Sequence, residues 1–262
     1  MGSQVWRAGT AACRATPNKR RISETPDLRR FLPRLTLGIR QYILVGMSEA
    51  HKGPKRRAMT LRDPERTRER LLQAAFREIY RSGFQSASLD TILASAGVTK
   101  GALYYYFKSK QTLGYAVVEE VIGPDNYGEW GRPLHCGKDP IDTLIGIVQG
   151  LSVRPADVRG GCQLINLAQE MSSLDAGFRK RLAIIFDGWR EAVASALREG
   201  QTHGRVRRDV KPADAAGLLI AMVEGYGSLA KNAQDPKVMK DGIRNIVDWL
   251  QSLRSPGNRK RV

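Results

Sequence analysis

The sequence predicts an all-α protein, with an N-terminal three-helix helix-turn-helix unit followed by a larger helical ligand-binding and dimerisation domain. Three observations predict the class. Apolar residues recur at i, i+3, i+4 and i+7 along most of residues 63–254. Ser, Thr, Asp and helix-opening Pro residues stand ahead of those runs, with Gly behind several of them. No stretch alternates apolar and polar residues as a half-buried strand would.

The elements follow in order. A first helix has an Arg-rich start, carries Ala74, Ala75 and Phe76, and gives way to Gly83 and Phe84. Ser88 heads the second, because its hydroxyl can accept a first-turn N–H, and Leu89, Ile92, Leu93 and Ala96 share one face. Gly97 stops that helix, since glycine takes the left-handed conformation without steric cost. Val98 plugs the corner, and Thr99 caps a third helix over residues 100–107 with Leu103 and Phe107 facing inward.

A linking helix over 110–122 is expected to end at Gly123 and Pro124, ahead of a loop to Lys138 containing Asn126, Gly128, Gly131 and Pro133. Asp139 caps and Pro140 opens a helix to about residue 152. A Pro/Gly loop is expected over 154–161, then a helix over 162–171. A long amphipathic helix over 175–200 carries Phe178, Leu182, Ile185, Trp189, Val193, Ala196 and Leu197. Pro212 and Pro236 open the last two helices, which reach about residues 231 and 253.

Residues 86–110 carry the functional signal. A short helix, a tight turn and a second short helix rich in small, hydroxylated and aromatic side chains suit an element laid into the DNA major groove. Thr99, Lys100 and Ala102 stand where a recognition helix reaches base edges, and Gly101 lets the backbone come close. Ser88, Tyr104, Tyr105, Tyr106 and Lys110 are placed to hold phosphates. A plainer reading stays open beside this one: at least one of the three tyrosine rings packs inward, and Lys108 and Lys110 are ordinary solvated lysines.

Residues 66–120 resemble the N-terminal DNA-binding domain of the TetR family of bacterial regulators. The matching residues are Ala74, Ala75, Phe76, Gly83, Phe84, Ser88, Ile92, Ala96, Gly97, Val98, Lys100, Gly101, Leu103, Tyr104, Tyr105, Phe107 and Lys110. One departure is Tyr106, where the family most often has histidine; a tyrosine keeps a hydroxyl but loses an imidazole.

The resemblance implies a cytoplasmic, homodimeric transcriptional regulator, most often a repressor, bound to a palindromic operator in double-stranded DNA. The two final helices of each subunit would form a four-helix dimer interface, which the Ala, Gly and Ser residues of 212–231 suit. The alternative is that both helices complete a monomeric core. The middle helices would enclose a pocket for an unidentified small-molecule effector, with Leu144, Val148, Leu167, Met171, Phe178, Ile185, Phe186 and Trp189 as candidate linings. Residues 160–182 also resemble a subgroup with Gly-Cys at the start of this helix, in which some regulators sense electrophiles or oxidants through the cysteine. A thiol at a helix N-terminus has its thiolate favoured by the dipole, and Arg159 would help Cys162. A small cysteine packed between helices is the other reading.

Charge adds less than its total suggests. The formal net charge is +17, but residues 1–62 hold 14 Lys/Arg against 3 Asp/Glu while residues 63–262 hold 29 against 23. The excess therefore sits mainly outside the helix-turn-helix unit. Residues 1–62 have scattered apolar positions and no sustained period. They read as a disordered basic arm, a mimic of a transit peptide, or upstream sequence ahead of a true start at Met47 or Met59. Residues 255–262 read as a basic tail.

Cys13, Cys136 and Cys162 show no CxxC pairing, which argues against a disulfide framework or structural zinc. No apolar run near the start approaches the roughly 20 residues needed to span a bilayer. Three histidines, no Gly-rich phosphate loop and no matched carboxylate pair leave an enzyme little to stand on, and no cofactor or metal is expected. A sequence-indifferent architectural DNA binder using the basic arm is the competing non-enzymatic reading.

Overall fold

A computed structural model describes residues 64–256; residues 1–63 and 257–262 lie outside the described residues, and with them the basic arm, the alternative starts and most of the basic tail. Among the described residues the chain is helical throughout, and the only β pairing is an isolated bridge between Val206 and Arg254.

The first three helices are α1 (Pro64–Ser82), α2 (Leu89–Ala96) and α3 (Lys100–Tyr106). α1 buries Leu71, Leu72, Ala75, Phe76 and Ile79, against which Ile92, Ala96, Leu103 and Phe107 pack in one core. Ser88 and Thr99 cap their helices as expected, accepting the N–H groups of Thr91 and Ala102 at 3.3 Å. Gly97 takes φ 63°, the left-handed turn that lets α3 leave α2 at an angle.

The linking helix departs from expectation. It begins as an α-helix at Lys110–Val117 and passes through a π-helical turn at Val118–Ile122, an α-turn at Gly123–Asn126 and a second π-turn at Tyr127–Gly131. A final α-turn at Arg132–Cys136 completes it; we call residues 110–136 α4. Gly123 and Pro124 do not end it, and the loop expected to Lys138 is helical to Cys136. A proline inside a helix removes one N–H donor and crowds the preceding turn. Each π-turn shifts the hydrogen-bond register by one residue directly ahead of a proline: Gly123 N–H reaches Val118 O before Pro124, and Arg132 N–H reaches Tyr127 O before Pro133. The helix absorbs both prolines that way.

Beyond it lie α5 (Pro140–Gly150), α6 (Pro155–Gly160), α7 (Gln163–Met171), α8 (Ala176–Thr202), α9 (Pro212–Ala233) and α10 (Pro236–Ser252). The loop expected over 154–161 is also corrected: Pro155 opens the short α6, whose first turn is pinned by the Arg154–Asp157 ion pair at 2.7 Å. Asp139 caps α5 through the N–H groups of Ile141 and Asp142.

α8 is the spine of the C-terminal domain, packing on α4, α7 and α9, while α10 closes over α5 and α9. Trp189 of α8 meets Trp130 of α4 with ring centroids 4.7 Å apart. Arg254, buried after α10, reaches back to Asp142 at 2.5 Å and Asp139 at 3.5 Å, so the end of the domain is tied to the start of α5.

One core runs through both domains. Where they meet, Gly114 of α4 lets Phe84 and Phe178 close in; a Cβ there would sit 2.5 Å from the first ring and 2.7 Å from the second. Those two rings pack edge to face at 4.6 Å, and Tyr115 adds a similar contact to Phe178 at 4.9 Å.

Candidate DNA-binding interface and its attachment

α3 presents most of the expected DNA-contact residues on one surface. Thr99, Lys100 and Gly101 are exposed at its N-terminal end, with Ala102 half-buried behind them. Tyr105 is 80% exposed and Tyr104 45%, large values for aromatic side chains on a folded surface. Tyr106 is half-buried against the core and meets Tyr105 edge to face at 4.9 Å, so one ring of the three turns inward. Leu103, buried, fixes the rotation of the helix that leaves the others outward.

Two residues expected at phosphates make contacts within the protein. Ser88 is exposed, but its hydroxyl caps α2. Lys110 donates from Nζ to the Gln85 carbonyl at 2.8 Å and lies 5.1 Å from the Phe84 ring centre. An ammonium carries three N–H donors, so this bond leaves two for a phosphate while fixing where they point.

Several residues that hold the interface carry no local sequence signal. Buried Glu78 pairs with Arg81 at 2.7 Å and accepts the Ser88 N–H at 3.3 Å. The Arg81 hydrogen bond holds its carboxyl below the usual range against the opposing effect of burial, and the Ser88 N–H adds to that. The Arg70 guanidinium caps the Ala96 carbonyl at the end of α2. Arg68 forms a two-pronged pair with Glu120 of α4 at 2.5 Å and lies over the Phe107 ring.

Glu170 of α7 does more than any of these. Its two carboxylate oxygens accept the N–H groups of Phe84 and Gln85, each at 2.8 Å, in the turn between α1 and α2. Gly83, at φ 79°, shapes that turn. At the other end of the α1–α7 seam, the Tyr80 hydroxyl donates to the Gly161 carbonyl at 2.9 Å and Asn166 Nδ2 donates to the Gly160 carbonyl at 2.8 Å. Burial first, then the Asp157 carboxylate, push the Tyr80 hydroxyl up to about 12, which keeps it a donor.

The C-terminal residues expected to line an effector pocket are placed in the core. Leu144, Val148, Leu167, Met171, Phe178, Ile185 and Trp189 are buried and Phe186 is half-buried. A cleft of about 540 Å³ lies instead at the α1–α7 seam, and of those residues it touches Leu167 alone.

Cys162 stands at the N-cap of α7, as expected, and is half-buried there. Burial first, then the neighbouring Glu224 carboxylate, push it well above the usual thiol range, and the N–H groups of Ile165 and Leu164 do not offset this. Glu224 itself, buried on α9, is pushed up to about 7 by burial, against the opposing Cys162 hydrogen bond and with added repulsion from Glu129. Among the described residues no group of three or more metal-ligating side chains comes together, and no helix is long and apolar enough to cross a membrane.

A capped, exposed seven-residue helix set behind a left-handed glycine turn, on a bundle joined to a larger helical domain, defines a helix-turn-helix DNA-binding protein. Residues 71–117 match the family described as bacterial regulatory proteins, tetR family, and residues 141–246 match the tetracyclin repressor-like C-terminal domain. An uncharacterised HTH-type transcriptional regulator from the lacX 3' region of Lactococcus lactis subsp. lactis is 30% identical over 185 residues, covering 68% of this chain and 89% of the relative. The HTH-type transcriptional repressor DhaR of Mycobacterium sp. (strain GP1) is 27% identical, covering 60% and 79%. A TetR transcriptional regulator from Chloroflexus aurantiacus superposes with a TM-score of 0.66 at 26% identity, covering 74% and 98%. The chain belongs to the TetR family of DNA-binding transcriptional regulators.

Proposed function

We propose that the chain is a homodimeric repressor that reads a palindromic operator through α3 of each protomer and leaves it when a small molecule occupies the C-terminal domain. The observation that carries the reading is the exposed face of α3. Thr99, Lys100 and Gly101 stand at its exposed N-terminal end, and the Tyr104 and Tyr105 rings project beside them, 45% and 80% exposed.

Dimerisation is supported by α9. Leu218, Ala221, Gly225 and Leu229 form an exposed stripe at helical spacing, with Leu229 59% exposed and open space where a Cβ on Gly225 would sit. A stripe of this kind lets a second helix approach closely and buries apolar area that one protomer leaves wet. The similarity to a protein named a repressor supports the sign of regulation. The raised Cys162 thiol argues for a small-molecule effector ahead of electrophile sensing. Selection of bound fragments from random DNA tests the reading. A palindrome with half-sites about one helical turn apart is expected. Recovery of fragments with no shared sequence would mark a nonspecific binder.

A further inference from the structure

The cleft at the α1–α7 seam is built from both domains and is not used by DNA contact. Its apolar wall is Phe76, Ile79, Ile122 and Leu167, and its polar side carries Lys231 and Asn166. At about 540 Å³ it is the size of a small-molecule site.

Its electrostatics are one-sided. Lys231 is half-buried, and its Nζ donates to the Asn166 amide oxygen at 2.9 Å. Among the described residues no carboxylate comes within ion-pair distance of it. The one carboxylate in the cleft wall, Glu170, has both oxygens committed to backbone N–H groups, and Arg81 at the edge is paired with Glu78. Partly buried cations are normally matched by an anion, and this one is matched only by a neutral amide.

We propose that the cleft binds a small organic carboxylate with an apolar body, its charge on Lys231 and its body against Phe76, Ile79, Ile122 and Leu167. One ammonium beside neutral donors suits a monoanion, and the apolar wall excludes a bare inorganic ion as the preferred occupant. Its use as the effector site rests on the repressor reading. A carboxylate on Lys231 draws the ammonium from Asn166, which holds the Gly160 carbonyl, and enters between the Tyr80 end of α1 and α7. Glu170 lies four residues along the same helix from Asn166, one turn away, so movement of α7 reaches the clamp on Phe84 and Gln85 directly.

Calorimetric titration of the full-length protein with octanoate and benzoate, against octanamide and benzamide, tests the site. At least one carboxylate is expected to bind at millimolar concentration, at least tenfold tighter than its amide. Lys231→Met is expected to weaken it at least tenfold, and Lys231→Arg to restore most of the affinity. Should Lys231→Met not fold, Asn166→Asp, which sets a like charge beside the ligand, is expected to produce the same loss. Failure of both carboxylates to bind, equal binding of the amides, or indifference to these substitutions would overturn the site. Titration of the selected operator in the same carboxylate is expected to show at least tenfold weaker DNA binding, and unchanged affinity overturns the effector role. Operator selection without ligand reads the repressor proposal separately, so either can fail alone.

Discussion

The helix-turn-helix unit and the C-terminal domain hold their key helices by different means. α3 is seven residues long and buries Leu103 alone. Beyond the packing of Leu103 and Phe107, its position depends on the Thr99 cap and the Gly97 turn, while Glu78, Arg70 and Glu170 hold the α1–α2 turn and the end of α2 before it. α8 is 27 residues long and buries ten of them, Phe178 and Trp189 among them. A helix of about two turns has no stability of its own, so its direction follows its few packed residues and a few hydrogen bonds, each worth about 1 kcal/mol. A long helix packed on several sides follows the core. The surface proposed to read DNA is therefore expected to respond more to polar changes around the α1–α2 turn than to changes in the core.

Packing holds the C-terminal domain, and the costliest substitution lies there. Phe178→Ala removes a fully buried ring that joins Phe84 and Tyr115, and should cost about 3–5 kcal/mol. Thermal or urea unfolding would read it, and a loss under about 1 kcal/mol would show that the site collapses without harm. Glu170→Ala acts on the other side. It removes the acceptor of two backbone N–H groups in the α1–α2 turn, one of them reached by water, at a cost of about 1 kcal/mol. Operator affinity should fall more than stability; equal loss in both would make Glu170 an ordinary structural residue.

Thr99→Ala should cost about 1 kcal/mol of stability through the lost cap, with operator affinity again falling more steeply. Glu224 gives a pH arm confined to the core. Its carboxyl titrates near 7 in the folded protein and near 4.5 unfolded, so between those values the folded state binds more protons. Stability from this group therefore falls as pH rises through that window. Glu224→Gln should flatten the melting temperature between about pH 5 and about pH 8, and an unchanged slope would assign the effect elsewhere. The smallest effect is Lys110→Ala, which should weaken binding to all sequences alike and lower the salt slope by about 1.

The parts of the fold set by neighbouring residues were legible in the sequence. Ser88, Gly97 and Thr99 have the side chains their φ, ψ and cap bonds require, and Pro140, Pro212 and Pro236 open helices as their missing N–H allows. The stretch around Gly123, Pro124 and Pro133 was not, because the residues that normally stop a helix are absorbed there by π-turns. Burial within the C-terminal domain packs Trp130, Trp189 and Ile185 tightly enough for the helix to continue. Propensity reads a helix end where packing favours continuation.

The candidate site divides the same way. Thr99 to Tyr106 could be read from the helix-turn-helix pattern. Glu78, Glu170 and Lys231 could not, since each acts on a residue 10, 85 or 65 positions away. Cys162 shows the limit of a local rule: its place at a helix N-terminus was visible, while the Glu224 carboxylate beside it, brought from α9, was not.

The most direct test of the account is to repeat the selection from random DNA with Lys100→Ala beside the wild-type chain. Wild type should return a palindrome, and the variant should return one that has lost preference at the same position in both half-sites, the other positions unchanged. The same motif from both chains, bound more weakly by the variant at every position, would contradict the claim that the N-terminal end of α3 reads the bases.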